Sequence, residues 1–229
     1  MRIVIVLTAY NRETLLQKTL ESFAQYDHYE FTVIVERDED RPGKTWSNSC
    51  IAFNRGFARA LELDPDIVIF QNAECYHAGN LLKYAKEHLT EQNYIAFPCY
   101  SMAKDNTLPP IINNRGAAFD GDSAWYNHPV YRPVGYHFCA AITADNLRKL
   151  NGFDERFMYG IGYDDNYLLH QIEMLGLQID IPEAPYVYHQ WHYANKKNTP
   201  ELIQFNADLF AELSQGTEYR AKHLITPDL

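Results

Sequence analysis

Runs of apolar residues separated by helix-like stretches dominate the first half of the chain. Residues 3–8 are a continuous apolar run, the pattern of a strand buried on both faces. Leu16, Leu20 and Phe23 then recur at helical spacing behind Asn11, a residue type that caps helices. The alternation continues with a strand over residues 31–36, a helix over 50–61, a strand over 67–71, a helix over 81–89 and a short strand over 94–98. Strands alternating with helices predict parallel strands joined by crossover helices, a Rossmann-like α/β half.

Between residues 101 and 137 the periodicity disappears into a stretch rich in Pro, Gly, Asn and Asp. Loops this long inside a compact domain are usually lids or binding loops. Trp125, Tyr126 and His128 within it are candidate acceptor-binding residues; the alternative is a surface excursion whose aromatics pin it to the core. The pattern then resumes with a strand over 138–143 and a short helix over 145–150 closed by Asn151 and Gly152. A helix over 165–175 and a last strand over 186–189 follow. Beyond them, Leu202, Phe205, Leu209 and Leu213 share one face of a helix over 200–213, started by Thr199 and Pro200 and stopped by Gly216. That face packs on the body or forms an oligomer contact.

Composition narrows the class. The 229 residues are 46% hydrophobic, enough for a sizeable core. A formal charge of -10 argues against indiscriminate nucleic-acid binding, which needs clustered cations, although Lys196 and Lys197 make a local basic pair. Residues 3–7 are too short to span a bilayer, and no membrane span or leader is expected. Cys50, Cys75, Cys99 and Cys139 are far apart with no CxxC, so reduced thiols in a cytoplasmic protein are expected.

Candidate chemistry gathers at the expected strand ends, where open α/β sheets bind ligands. Asn72 and Glu74 follow the third strand, and a carboxylate there can hold a divalent cation bridging a diphosphate. Thr8, Ala9, Tyr10, Asn11 and Arg12 end the first strand and Glu36, Arg37 and Asp38 the second, so both open on one crevice. A nucleobase could stack near Tyr10 with Glu36 or a nearby backbone group accepting its N–H, and Arg12 could meet a phosphate, with Asn11 left as a helix cap. The stretch NGFDERFMYGIGYDDNYLLH, residues 151–170, places Asp164 and Asp165 after a glycine turn, at the mouth of an amphipathic helix. A catalytic base explains such carboxylates best. Among the histidines, His77 is expected as a polar contact opening a helix and His137 as a structural hydrogen-bonding residue. His189 and His192, flanking Trp191, are candidates for ligand contact.

Three blocks carry a family resemblance. VIVLTAYNRETLLQKTLESF, AFNRGFARALELDPDIVIFQNAE and LRKLNGFDERFMYGIGYDDNYLL resemble, in turn, three segments of the family 2 glycosyltransferases and their relatives with the GT-A fold. These are the first strand and helix, the N-x-G-x-x-x-A helix with the D-x-D strand, and the G-G-F-D-E block with its acidic pair. The match covers roughly residues 1–192, and the last block is the most specific. It implies a mixed, mainly parallel α/β sheet flanked by helices. Residues 1–98 would be the nucleotide-binding half, 99–192 the acceptor and catalytic half, and 193–229 a helical extension. It further implies that Thr8, Ala9, Tyr10, Arg12, Glu36, Asn54, Arg55 and Asn72 bind the donor, and that Glu74 with His189 or His192 holds Mn or Mg. Asp165 would be the catalytic base and Asp164 would orient acceptor or metal. Asn72-Ala73-Glu74 departs from D-x-D: neutral Asn removes a charge facing the cation and leaves a hydrogen bond for the donor ribose.

The implied activity is sugar transfer from a nucleotide-sugar donor, with a uridine nucleotide as the usual family choice, to an acceptor hydroxyl by inverting displacement. The acceptor would be a glycan, a small molecule, a protein or a modified nucleic acid; for the last, Lys104, Arg115 and Arg132 supply basic residues. A nucleotidyltransferase normally carries a Gly-rich loop after the first strand, and TAYNRE has no glycine. The other alternative is a non-catalytic nucleotide- or sugar-binding module, against which the intact acidic pair speaks.

Overall fold

A computed structural model of the chain describes residues 1–38, 48–102, 104, 124–193 and 199–229. Strand β1 (Ile3–Ala9) explains the apolar opening, because all of its residues are buried. Val4 and Val6 face a core with Phe53, Phe57 and Phe153, while Ile3, Ile5 and Leu7 face a second core with Leu16, Phe23 and Leu81. A strand covered on both sides has no place for polar alternation. β1 pairs in parallel with β2 (Thr32–Arg37) and β3 (Ile67–Asn72), and the register sets Thr8 beside Asn72.

Three more strands, β5 (Asn93–Ala96), β8 (Cys139–Thr143) and β9 (Gln178–Asp180), complete a six-stranded sheet of order β2-β1-β3-β8-β5-β9. Only β8 runs antiparallel to its neighbours. Helices α1 (Glu13–Tyr26) and α3 (Leu81–His88) cover one face; α2 (Cys50–Leu61), α4 (Ala144–Leu150) and α5 (Asp164–Met174) cover the other. A smaller sheet of order β4-β10-β6-β7 is built from β4 (Cys75–Ala78), β6 (Cys99–Ser101), β7 (Ala124–Asn127) and β10 (Tyr186–His189). β10 runs antiparallel to β4 and sets His189 opposite Cys75, beside the Asn72–Glu74 turn.

The elements expected from periodicity are present within about two residues. Four short strands, β4, β6, β7 and β9, were not expected: runs of three or four residues are too brief to show a period. β7 lies inside the expected loop, so that stretch is not wholly irregular. His77 belongs to β4 and opens no helix. Asn11 is not a helix cap either. Its φ of 53° makes it a left-handed turn residue, and Arg12 takes the N-cap position with no side-chain capping bond.

Helix α6 (Pro200–Leu213) starts and stops as expected, but its buried face is rotated. Asn206 is fully buried and donates to the carbonyls of Phe157 at 3.0 Å and Gly162 at 2.7 Å, whereas Phe205 points outward at 48% exposure. Close approach to Gly160, where a Cβ would sit 2.3 Å from Asn206 Oδ1, fixes that orientation. Residues 214–229 are not helical. They fold back over the turn after α4: Ala221 N–H donates to the Leu150 carbonyl at 2.7 Å and Leu229 N–H to Asn151 Oδ1 at 2.8 Å. Among the described residues, no helix is long and apolar enough to cross a membrane.

Candidate active site

At the carboxyl ends of β1 and β3 lies a cavity of about 1190 Å³. Thr8, Ala9, Tyr10, Arg12, Asn72 and Glu74 line it, six of the sequence candidates brought together by strand register and the turn after β3. That turn is held by Ala73 N–H donating to the Thr8 carbonyl at 3.2 Å and Asn72 N–H to the Phe138 carbonyl at 3.3 Å.

Glu74 is the focus of the rim. Its Oε1 lies 3.4 Å from His189 Nε2, 3.3 Å from His192 Nε2 and 2.5 Å from Arg12 Nη1. Burial pushes this carboxyl up, but hydrogen bonds from His189 and His192, with the charges of His189 and Arg12, hold it well below the usual range. One ligand atom from each of Glu74, His189 and His192 falls within 4.8 Å of the others, a spacing one cation can draw together. The donor set is one oxygen and two imidazole nitrogens. It fits a transition cation that accepts imidazole, such as Mn²⁺ or Zn²⁺, better than Mg²⁺, which prefers oxygen alone.

Gln190 was missed in the sequence, yet it fixes the two histidines. Its amide N–H donates to the Glu74 carbonyl at 3.0 Å, and its buried side chain donates to the Leu15 carbonyl and to Thr19 Oγ1, each at 3.1 Å. Thr19 in turn donates to the Ala73 carbonyl at 2.8 Å. A glutamine between two candidate ligands was the available signal, but Gln is ordinarily a surface residue.

Asp164 and Asp165 open α5, after Gly162 and Tyr163 take left-handed conformations with φ of 70° and 63°. The helix N-terminus favours their negative charge. Burial and the adjacent Asp165 charge push Asp164 up to about 6, against the His137 charge and nearby backbone N–H groups. Asp165 Oδ1 is hydrogen-bonded to His137 Nδ1. Neither Asp is among the described residues lining the cavity. They connect to its wall through Asn48, which lines it and donates to the Phe157 carbonyl at 2.7 Å, in the 3₁₀ turn Glu155–Tyr159 ahead of α5.

Three donor candidates lie elsewhere. Glu36 turns toward α2 and pairs with Arg59; Asp38, two residues on, lines the cavity instead, with its N–H donating to the Ala9 carbonyl at 2.9 Å. Asn54 is fully buried, donating to the Phe153 carbonyl at 2.9 Å and accepting its N–H at 2.9 Å, so it ties α2 to the turn after α4. Arg55 is not among the described lining residues. Glu36 and Asn54 belong to the packing of α2 against β2 and the turn beyond α4.

The acceptor candidates divide between two environments. Trp125 packs at 4% exposure against Tyr100 and Tyr186, and His128, also buried, accepts the N–H groups of Val130 and Tyr131 at Nδ1. Both serve the small sheet's aromatic core. Tyr126 faces the site, with its ring 5.1 Å from that of His189. An aromatic surface the sequence reading did not assign stands on the rim: Trp191 and Tyr193 line the cavity in a T-shaped pair at 4.6 Å, with Lys104 Nζ 5.4 Å from the Trp191 ring. Lys196, Lys197 and Arg115 lie outside the described residues.

No family model and no curated protein matches the sequence. Solved structures do. A fragment of Staphylococcus aureus TarS in complex with UDP-GlcNAc matches with a TM-score of 0.60 at 12% identity, over 85% of this chain and 60% of that one. The longer TarS structure gives 0.56 at 15% identity, and this chain spans 37% of it. A variant of Drosophila β1,4-galactosyltransferase 7, in complex with manganese, UDP-Gal and xylobiose, gives 0.58 at 14% identity, over 97% of this chain and 81% of that one. The chain has a GT-A glycosyltransferase-like fold.

Proposed function

We propose that this protein is a glycosyltransferase that moves a sugar from a UDP-sugar to an acceptor hydroxyl with inversion. The observation that carries the reading is the convergence of Glu74, His189, His192 and Arg12 on the rim of a cavity at the strand ends. Similar folds holding UDP-GlcNAc, or UDP-Gal with manganese, support it. Tyr10 offers its ring to the base, Asp38 accepts the base N–H, and Asn72 hydrogen-bonds the ribose. Arg12, which pairs with Glu74, meets the diphosphate.

The acceptor oxygen forms its bond to the anomeric carbon as its proton passes to Asp165. The bond from that carbon to the β-phosphate oxygen breaks, and its electron pair leaves with UDP. One displacement by one base inverts the centre. A divalent cation held by Glu74, His189 and His192 would supply Lewis-acid stabilisation of the departing charge, with manganese favoured over magnesium by the donor set. A glycan acceptor fits best: Trp191 and Tyr193 offer ring faces at the rim, and Tyr193 is 77% exposed. Four buried free thiols suit a reducing compartment, as the cytoplasm is.

UDP release from UDP-glucose, UDP-galactose and UDP-N-acetylglucosamine, with manganese and a panel of oligosaccharides, tests this reading. Asp165→Asn should lower release by roughly 10²–10⁴-fold while UDP affinity stays nearly unchanged. Substantial transfer by that variant sinks the base assignment. No release by the wild type from any donor replaces the enzyme with a nucleotide-binding module.

A further inference from the structure

His137 sits 28 positions before Asp165, in the bend between β7 and β8. Its ring is nearly buried, with the ring centroids of Phe53 at 5.0 Å, Phe153 at 4.7 Å and Phe70 at 5.9 Å. Three aromatic walls leave the imidazole little rotational freedom, and its Nδ1 meets Asp165 Oδ1. The His137 backbone N–H also points at that oxygen, 3.5 Å away. One oxygen of Asp165 is thus engaged from the β8 side, while α5 holds the backbone behind it.

We propose that His137 is a positioning residue for Asp165: its Nδ1–H bond fixes the carboxylate and leaves Oδ2 to take the acceptor proton. The inference rests on the proposed role of Asp165 as base. Two adjacent carboxylates at one helix mouth repel, and without a partner either could keep the proton. The imidazole is aimed at Asp165 alone. Consistent with this, burial lowers the His137 pKa, but the charge and hydrogen bond of Asp165, with Asp164 behind them, outweigh burial and raise it. Asp164, lacking this bond, is the member pushed up to about 6.

The first arm of the test needs no substrate. In proton and ¹⁵N imidazole spectra of the whole protein, the Nδ1–H resonance of His137, identified by its loss in His137→Asn, should lie far downfield and move in Asp165→Asn. The buried His77–Asp27 pair, 2.7 Å apart, gives a second such resonance that should stay put. An unmoved His137 resonance overturns the proposal.

The second arm is kinetic, read as UDP release from the three UDP-sugars above. His137→Leu should lower kcat roughly 10–100-fold with KM little changed, the size seen when a group orienting a functional residue is removed. His137→Asn, whose amide can place an N–H near the Nδ1 position, should recover most of that loss. Added to Asp165→Asn, His137→Leu should cost almost nothing further. Equal loss in the Leu and Asn variants, or full additivity with Asp165→Asn, overturns the role. Full release by Asp165→Asn alone overturns the base assignment and the proposal with it. An impaired Asp165→Asn beside an unimpaired His137→Leu overturns only the proposal.

Discussion

Asp164 and Asp165 are chemically identical neighbours in different surroundings. Asp165 has the imidazole of His137, whereas Asp164 is held up to about 6 by burial and by the Asp165 charge. A carboxyl with a raised folded-state pKa binds its proton more tightly in the folded chain than in the unfolded one. Its favourable contribution is therefore complete below about pH 4 and is lost as pH rises through about 6. Asp164→Asn removes that ionisation, so its melting temperature should gain on the wild type between pH 4 and pH 7; thermal unfolding across that range checks the sign. Spacing along the chain revealed the acidic pair, Glu74 and the two histidines, because each lies in a short motif. His137 was read as a structural hydrogen-bonding residue without its partner, since Asp165 lies 28 residues away and only the fold joins them. Asp38, which lines the cavity, was given no role because sequence shows where a strand ends but not how the chain leaves it.

Elements were legible where burial imposes a long period and illegible where they are short. β1 and β3 announce themselves as unbroken apolar runs because both faces are covered. Of the small sheet only β10 was legible, and it carries His189 to Glu74; β4, β6 and β7 are too short to show a period. The amphipathic face of α6 was misread at Phe205 because a buried Asn206 docks on Phe157 and Gly162, and polar anchoring leaves no hydrophobic signature. The interface of α2 with β1 is tighter than its pattern shows: a Cβ at Gly56 would meet Val6 Cγ1 at 2.4 Å and Glu36 Cγ at 3.2 Å. Gly56→Ala should therefore destabilise by about 1–2 kcal/mol, overpacking outweighing the helix-propensity gain. Urea unfolding with an unchanged m-value and a lower midpoint is the expected result.

At the scale of the molecule, the block GFDER illustrates how a sequence motif divides its labour. Glu155, fully buried, accepts the N–H groups of Leu224 at 3.0 Å, Ile225 at 2.9 Å and Thr226 at 3.3 Å, as well as the Thr226 hydroxyl and the Asn54 amide. Asp154 receives a bidentate Arg156 at 2.8 and 2.7 Å and the Lys222 N–H at 3.0 Å. These acids are structural, and they strap residues 214–229 onto the approach to α5; the acidic pair Asp164–Asp165 follows downstream. Glu155→Ala should cost about 2–4 kcal/mol by stranding several buried donors, and amide exchange at residues 224–226 should rise toward unprotected rates. Nothing in the periodicity of the tail showed this, because its bonds run through backbone N–H groups.

If the cavity takes a uridine diphosphate through a cation at Glu74, His189 and His192, nucleotide and metal binding are linked. Calorimetric titration of UDP into the wild type and Glu74→Gln, each with manganese, with magnesium and with neither, measures that linkage. The wild type should bind UDP, more tightly with manganese than with magnesium, and the manganese effect should disappear in Glu74→Gln. UDP binding that is equal in all three conditions and unchanged by the substitution, or no UDP binding at all, would contradict it.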